Sequence, residues 1–238
     1  MRFYRRVGTV KAMTFDLDDT LYDNLPYMLE AEAKLLAYLH EHFPATAQTS
    51  LKHWRSVRDA LLTSRPELNS DMGELRRLTL LHGLTACGYD NTEAEHGAQQ
   101  CFDVFYHYRS NFTVDKNICS LLSTLAERIP LVAITNGNVD LSKIGIADFF
   151  HTSFHANLKH PMKPHPMMFD LSAELLRLSP SDILHIGDNL EKDVSGAINA
   201  GFRSAWFACN RPMDLHREQV SVLPDVVLDD LSELLQFV

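Results

Sequence analysis

Apolar and polar positions along the chain change rhythm twice. Residues 10–15 form a short apolar run, broken only by Lys11 and Thr14, that begins just after Gly8. Its brevity and partly β-branched make-up predict a buried strand of a parallel sheet. From residue 24 to 112 the apolar spacing becomes that of helices. Pro26 opens the first, with Asn24 as N-cap and Met28, Leu35, Leu36 and Leu39 on its apolar side, and Pro44 follows it. Ser50 caps a second, which carries Leu51, Trp54, Val57, Leu61 and Leu62. Asp71 and Glu74 have capping-box spacing for a third, ended by Gly88. Thr92 and Glu95 repeat that spacing for a fourth, with Ala98, Cys101, Phe102, Phe105 and Tyr108 along it. No strand is predicted in this span.

From residue 113 helix and strand alternate. Asp115 caps a helix with Ile118, Leu121, Leu122 and Leu125, and a strand over 131–135 follows Pro130. A short helix is predicted around 141–146, a strand at Thr152, a helix over 165–178 and a strand over 183–186. A helix over 191–200, stopped by Gly201, leads to a strand over 204–208. Residues 225–228 read as an edge strand and 231–237 as a closing helix, while 210–224 has no clear pattern. Such alternation predicts an α/β fold with a doubly wound parallel sheet. Residues 1–23 and 113–238 would form that core, and 24–112 an inserted all-helical domain.

Polar residues that interrupt this pattern gather at the ends of the strands. Asp16, Asp18 and Asp19 follow the first run at once. Asp16 and Asp18 stand two apart, so in extended backbone they point the same way. Ligands of open α/β sheets bind beyond the carboxyl ends of the strands. Two like charges there do nothing for folding, but a bound cation would account for them. Thr135 ends its run and is followed by Asn136 and Gly137, Lys163 precedes a helical pattern, and Asp188, Asn189 and Asp193 follow the run 183–186. Each also has a plain structural explanation: Asp18 and Asp19 as turn formers, residues 135–137 as a strand exit, Lys163 as a solvated loop residue, Asp188 as a helix start. The order and spacing of the whole set weigh against coincidence. Phe102, Phe105 and Tyr108 read as packing within a helix bundle.

Residues 15–21, Phe-Asp-Leu-Asp-Asp-Thr-Leu, resemble the first motif, Asp-x-Asp-x-Thr, of phosphatases in the haloacid dehalogenase superfamily. Thr135, Lys163 and residues 187–193 resemble its remaining motifs, in order. The resemblance implies magnesium-dependent hydrolysis of a phosphate monoester through an aspartyl phosphate. It makes Asp16 the nucleophile, Asp18 the general acid and then base, and Thr135, Asn136 and Lys163 the phosphate binders. It makes Asp16, the backbone carbonyl of Asp18, and Asp188 the magnesium ligands, with Asp193 and Asn189 behind them; many relatives have a second Asp where Asn189 stands. An insert after the first motif is similar to the small helical caps that roof the site in one branch of the superfamily. At closer range, residues 1–6, 14–24 and 130–138 resemble bacterial members acting on flavin mononucleotide and 5-amino-6-(5-phospho-D-ribitylamino)uracil. Sugar or nucleoside monophosphates remain alternatives. A haloacid dehalogenase has no need of an acid at Asp18, a receiver-type signalling domain carries no long insert here, and a dinucleotide-binding module wants a glycine-rich turn after the first strand.

Charge narrows the partners. With 22 basic and 31 acidic residues the net charge is -9, which argues against a nucleic-acid surface. No long apolar segment follows the basic start, so no leader or membrane anchor is expected. A cytoplasmic monomer or weak dimer acting on a small phosphate ester is the expectation. At an effective dielectric near 20, like charges about 4 Å apart cost roughly 4 kcal/mol per pair. Several carboxylates therefore cannot receive a phosphate unaided. Oxygen-only ligands suit magnesium, and Lys163 offers a second positive charge. The four cysteines are widely spaced and predicted to be buried free thiols, and the twelve scattered histidines are predicted to lie mostly at the surface.

Overall fold

The computed structural model describes residues 1–238. Two compact units emerge: Met1–Asp23 with Thr113–Gly137 and Gly145–Val238, and Asn24–Phe112 with Asn138–Ile144. In chain order the first half contains β1 (Arg2–Phe3), β2 (Ala12–Phe15), α1 (Leu25–His42), α2 (Leu51–Ser64), α3 (Met72–Ala86), α4 (Asn91–Arg109) and α5 (Lys116–Ala126). The second half contains β3 (Leu131–Thr135), β4 (Thr152–His155), α6 (Met167–Leu176), β5 (Ile183–Gly187), α7 (Gly196–Asn199), β6 (Arg203–Trp206) and β7 (Val226–Val227).

The strands form one sheet in the order β1-β7-β6-β5-β2-β3-β4. Every pairing is parallel except β1 with β7. The doubly wound parallel sheet predicted from the alternation is therefore present, with the antiparallel β1 added at its edge. β2, β3 and β5 are buried along their whole length, as their mostly apolar runs require. Ala12, Val132, Ile134 and Ile183 share one core with Phe169, Ala197 and Phe202. The register sets Thr14 beside His185 and Phe15 beside both Ile186 and Ala133. The carboxyl ends of β5, β2 and β3 thus lie side by side, and the polar residues that follow them leave from one edge.

Some local expectations fail. Residues 225–228 are not an edge strand: only Val226–Val227 is extended, and β1 pairs outside it. β1 escapes notice because it is two residues long, exposed and basic. The expected helix at 141–146 is a turn with Gly145 at φ +81°, followed by a 3₁₀ segment at Ala147–Phe149. The expected helix 191–200 begins as a π-helical turn, Leu190–Ser195, before α7. The closing helix is 3₁₀ over Leu231–Phe237.

In the helical unit α1 and α3 pack on α4, and α2 on α3. Leu35, Leu39, Phe43, Trp54, Leu84 and Phe105 belong to its core. Ser50 and Asp71 cap α2 and α3 as predicted, accepting from the amides of His53 and Glu74. Asn24 makes no such bond, and α4 starts earlier than expected, its capping box formed by Asp90 and Glu93. The aromatic stripe packs the bundle: Phe105 is buried with the Arg76 guanidinium 3.6 Å from its ring centre, and Phe102 and Tyr108 lie against the same core. Residues 138–144, placed with the sheet by sequence pattern, group with these helices, and the Asp140 amide donates to Ser110 Oγ at 3.0 Å. No helix is long and apolar enough to cross a membrane. All four cysteines are free thiols, Cys101 buried and Cys209 exposed.

Candidate active site

Asp16 leaves the end of β2 with its amide donated to Ile186 O at 2.8 Å, so the neighbouring strand fixes its backbone. Its Oδ1 accepts from Lys163 Nζ at 2.6 Å and its Oδ2 from the Thr20 hydroxyl at 3.3 Å. The same ammonium reaches Asp193 Oδ1 at 2.6 Å and Ile134 O at 2.7 Å. An ammonium has three protons and these three oxygens accept them, so the expected contact of Lys163 with substrate phosphate would have to share one of them. Asn136 is committed too: its side chain donates to Lys163 O at 3.0 Å and accepts from Lys163 N at 2.8 Å. The Asn136 side chain thus anchors the lysine's backbone, while the backbone amide expected on phosphate is not part of these contacts.

Asp18 stands on the turn that follows. Asp19 there takes φ +61°, a conformation that Asp tolerates better than most residues. The Tyr22 hydroxyl donates to Asp18 Oδ1 at 2.7 Å. Across from it, a Cβ added at Gly137 would lie 2.6 Å from Asp18 Oδ2, so a side chain there would push the Asp18 carboxylate aside. The Gly137 amide donates to Thr135 Oγ1 at 3.0 Å, leaving the Thr135 hydroxyl proton as a donor.

The third loop follows β5. Asp193 Oδ2 accepts the Asn189 amide at 3.0 Å, and its Oδ1 lies 3.2 Å from His185 Nε2. Gly187 makes this approach feasible, because a Cβ would come within 2.3 Å of Asp193 Cγ. The Asn189 side chain turns away to cap the π-helical turn, accepting from the amides of Glu191 and Lys192. Asp188 is gripped by Arg211, whose Nη1 donates to Oδ2 and Nη2 to the backbone carbonyl, both at 2.9 Å. Trp206 Nε1 donates to that carbonyl at 2.7 Å. Sequence reasoning missed Thr14, Tyr22, His185, Trp206 and Arg211. Polar residues inside apolar runs, Thr14 in 10–15 and His185 in 183–186, were the visible signals.

Oxygen atoms of Asp16, Asp188 and Asp193 lie within 4.8 Å of one another. Asp193, expected behind a metal, therefore stands in the carboxylate group itself. Burial pushes Asp16 well above the usual carboxylate range against the pull of Lys163. Burial would raise Asp193 as well, but Lys163 and His185 hold it far below that range. The Lys163 ammonium is disfavoured by burial yet held above its ordinary value by Asp16 and Asp193. Burial and the nearby Asp193 charge push Asp188 up to about 6, against Arg211. Burial keeps His185 low and hence neutral. An all-oxygen group of three carboxylates that meets only Lys163 and Arg211 is short of positive charge, and its donors fit a hard divalent cation.

The model of the haloacid dehalogenase-like hydrolases matches residues 10–201. The 5-amino-6-(5-phospho-D-ribitylamino)uracil phosphatase YigB of Escherichia coli (strain K12) is 34% identical over 234 residues, 98% of this chain and 98% of its own. A glyceraldehyde 3-phosphate phosphatase of Methanopyrus kandleri is 27% identical over 96% of this chain and 97% of its own. A solved 2-haloacid dehalogenase from Pseudomonas syringae pv. Tomato DC3000 superposes with a TM-score of 0.88 at 34% identity, covering 96% of this chain and 97% of that one.

Proposed function

Because this chain belongs to the haloacid dehalogenase-like hydrolases and is a phosphatase of that family, we propose that it cleaves a primary phosphate from a ribityl chain by way of an aspartyl phosphate on Asp16. The observation that carries the site is the convergence of Asp16, Lys163 and Asp193 beside Asp188 at the ends of adjacent strands. Asp16 attacks phosphorus through Oδ2, the oxygen not gripped by Lys163. Asp18 gives its proton to the departing alkoxide, then takes one from the water that hydrolyses the acyl phosphate. The Thr135 hydroxyl and the Asn136 backbone amide donate to phosphoryl oxygens. Lys163 acts from behind, holding Asp16 in line and offsetting its charge. Asp16, Asp188, Asp193 and the backbone carbonyl of Asp18 would hold magnesium, which when bound offsets phosphate charge and polarises phosphorus.

The substrate is drawn from the Escherichia coli relative, similar over almost its whole length. It is 5-amino-6-(5-phospho-D-ribitylamino)uracil, with flavin mononucleotide as the related ester, in a cytoplasm reducing enough to keep four thiols free. The helical unit selects among esters. Dehalogenation is the second reading, favoured by the Pseudomonas syringae structure; Asp18 and the carboxylate cluster speak against it. The test is release of phosphate from p-nitrophenyl phosphate with magnesium, its suppression by EDTA, and halide release from 2-chloropropionate. Halide without phosphate would reverse the choice. Among phosphorylated metabolites, the two ribityl esters should lead in kcat/KM. If they trail sugar or nucleoside monophosphates by tenfold, about 1.4 kcal/mol of transition-state binding, the substrate is wrong.

A further inference from the structure

Asp193 is held from a side that the proposed reaction does not use. His185 sits within β5, 1% exposed, with its ring edge-on to Phe169 at 5.0 Å between centroids. Its Nε2 lies 3.2 Å from Asp193 Oδ1. Its Nδ1 lies 2.8 Å from Thr14 Oγ1, on the register partner in β2, which is 0% exposed. A carboxylate only accepts, so a neutral ring facing Asp193 carries its proton on Nε2. Nδ1 is then an acceptor, and the Thr14 hydroxyl must donate to it. The donors run one way, from Thr14 to His185 to Asp193. Both residues occupy central strands that are otherwise apolar, where valine and leucine would pack without any polar group to satisfy.

The geometry points to Thr14 and His185 as positioning residues for the reaction: they fix Asp193 in one rotamer, so that Lys163 stays on Asp16 Oδ1. Lys163 bridges two carboxylates at 2.6 Å each. Asp193 Oδ1 shares its charge between Lys163 and the Nε2 proton, while Oδ2 is tied to the Asn189 amide. Without the Nε2 proton, Oδ1 is free to take the whole ammonium, and Lys163 is drawn off Asp16. Asp16 then loses the contact that aims it. The inference rests on Asp16 as nucleophile.

The test uses the full-length, magnesium-loaded protein. His185→Phe keeps a ring against Phe169 and removes the donor; His185→Gln places an amide donor within reach of Asp193; Thr14→Val removes the hydroxyl at constant shape. We expect His185→Phe to lower kcat at least tenfold with KM changed less than twofold, His185→Gln to recover most of that loss, and Thr14→Val to fall between. Nitrogen-15 NMR of histidine-labelled protein, with and without magnesium, should show His185 as the Nε2–H tautomer, and Thr14→Val should shift its Nδ1 resonance. A folded His185→Phe with wild-type kcat, a His185→Gln no better than His185→Phe, or an Nδ1–H tautomer overturns the proposal. If His185→Phe does not fold, the tautomer and the Thr14→Val kinetics decide. A wild-type protein that releases no phosphate overturns the proposed function instead.

Discussion

Asp16 and Asp18 stand two residues apart in unlike surroundings. Asp16 is buried and pinned between Lys163 and Thr20. Asp18 is half-buried on the turn beside the Tyr22 hydroxyl. Their substitutions should therefore fail differently. Asp16→Asn should abolish turnover at unchanged circular dichroism, since an amide cannot attack phosphorus. Asp18→Asn should still let Asp16 attack an aryl phosphate, whose leaving group needs no proton, and then stall at the acyl phosphate. Rapid-quench kinetics should show a burst without steady release; equal losses on aryl and alkyl esters would remove the acid–base role. Asp188 brings a dependence on pH. With its carboxyl raised to about 6 against an ordinary 3.8, the metal-free fold binds a proton there that the unfolded chain has lost. Stability from this group is thus gained as pH falls from above 6 towards 4, and lost as pH rises through 6. A divalent cation must displace that proton. Calorimetric magnesium titrations should give affinity climbing about tenfold per pH unit below 6 and levelling above it. A flat profile from pH 5 to 8 would take Asp188 out of the metal site.

Two glycines tie strands to the loops that follow, and they differ in what they crowd. At Gly137 an added Cβ meets the tip of Asp18, an atom that can swing aside. At Gly187 it meets Cβ and Cγ of Asp193, which three partners hold in place. Gly137→Ala should lower kcat with little change in melting temperature. Gly187→Ala should cost about 1–3 kcal/mol of stability, as overpacking does, together with activity. Equal melting temperatures for the two would contradict this. Elements with a clear period were legible in the sequence: β2, β3 and β5 as mostly apolar runs, the long helices by their spacing, and α2, α3 and α5 by their caps as well. β1 was not, being too short to show alternation, nor was the π-helical turn, because its sidechain spacing mimics the start of an α-helix. The same limits apply at the site. Asp16, Thr135 and Asp188 were visible because polar residues end apolar runs abruptly. His185 lies inside such a run, where a lone histidine resembles core filling, and only the register with Thr14 gives it partners. Arg211 acts on Asp188 from a loop without pattern, a contact that spacing does not encode.

The units of the whole molecule do not follow the chain in a single cut. Residues 138–144 belong with the helices, and Val139, Leu141 and Ile144 among them are buried. Replacing residues 24–112 by a Gly/Ser linker would therefore leave an apolar segment without its partners. That variant should keep its sheet by circular dichroism and hydrolyse small esters slowly without discrimination, but self-associate in light scattering. Val139→Ser with Leu141→Ser should restore a single species. A chain with no ordered sheet would mean that the sheet depends on the helices. The order of the strands bears on how the molecule is made. β2 lies between β3 and β5, so its first neighbour ends at Thr135 and its second at Gly187. At the roughly 5–20 residues per second of synthesis, about 10–30 s pass between the making of β2 and of β5. Until β3 is made the helices have their local contacts to fold by, while Ala12–Phe15 waits as an unpaired apolar ribbon, and its other edge stays open until β5 follows. Closing so long a loop comes late. Asp16, the proposed nucleophile at the end of β2, reaches its final place only when the 171 residues from Leu17 to Gly187 have followed it.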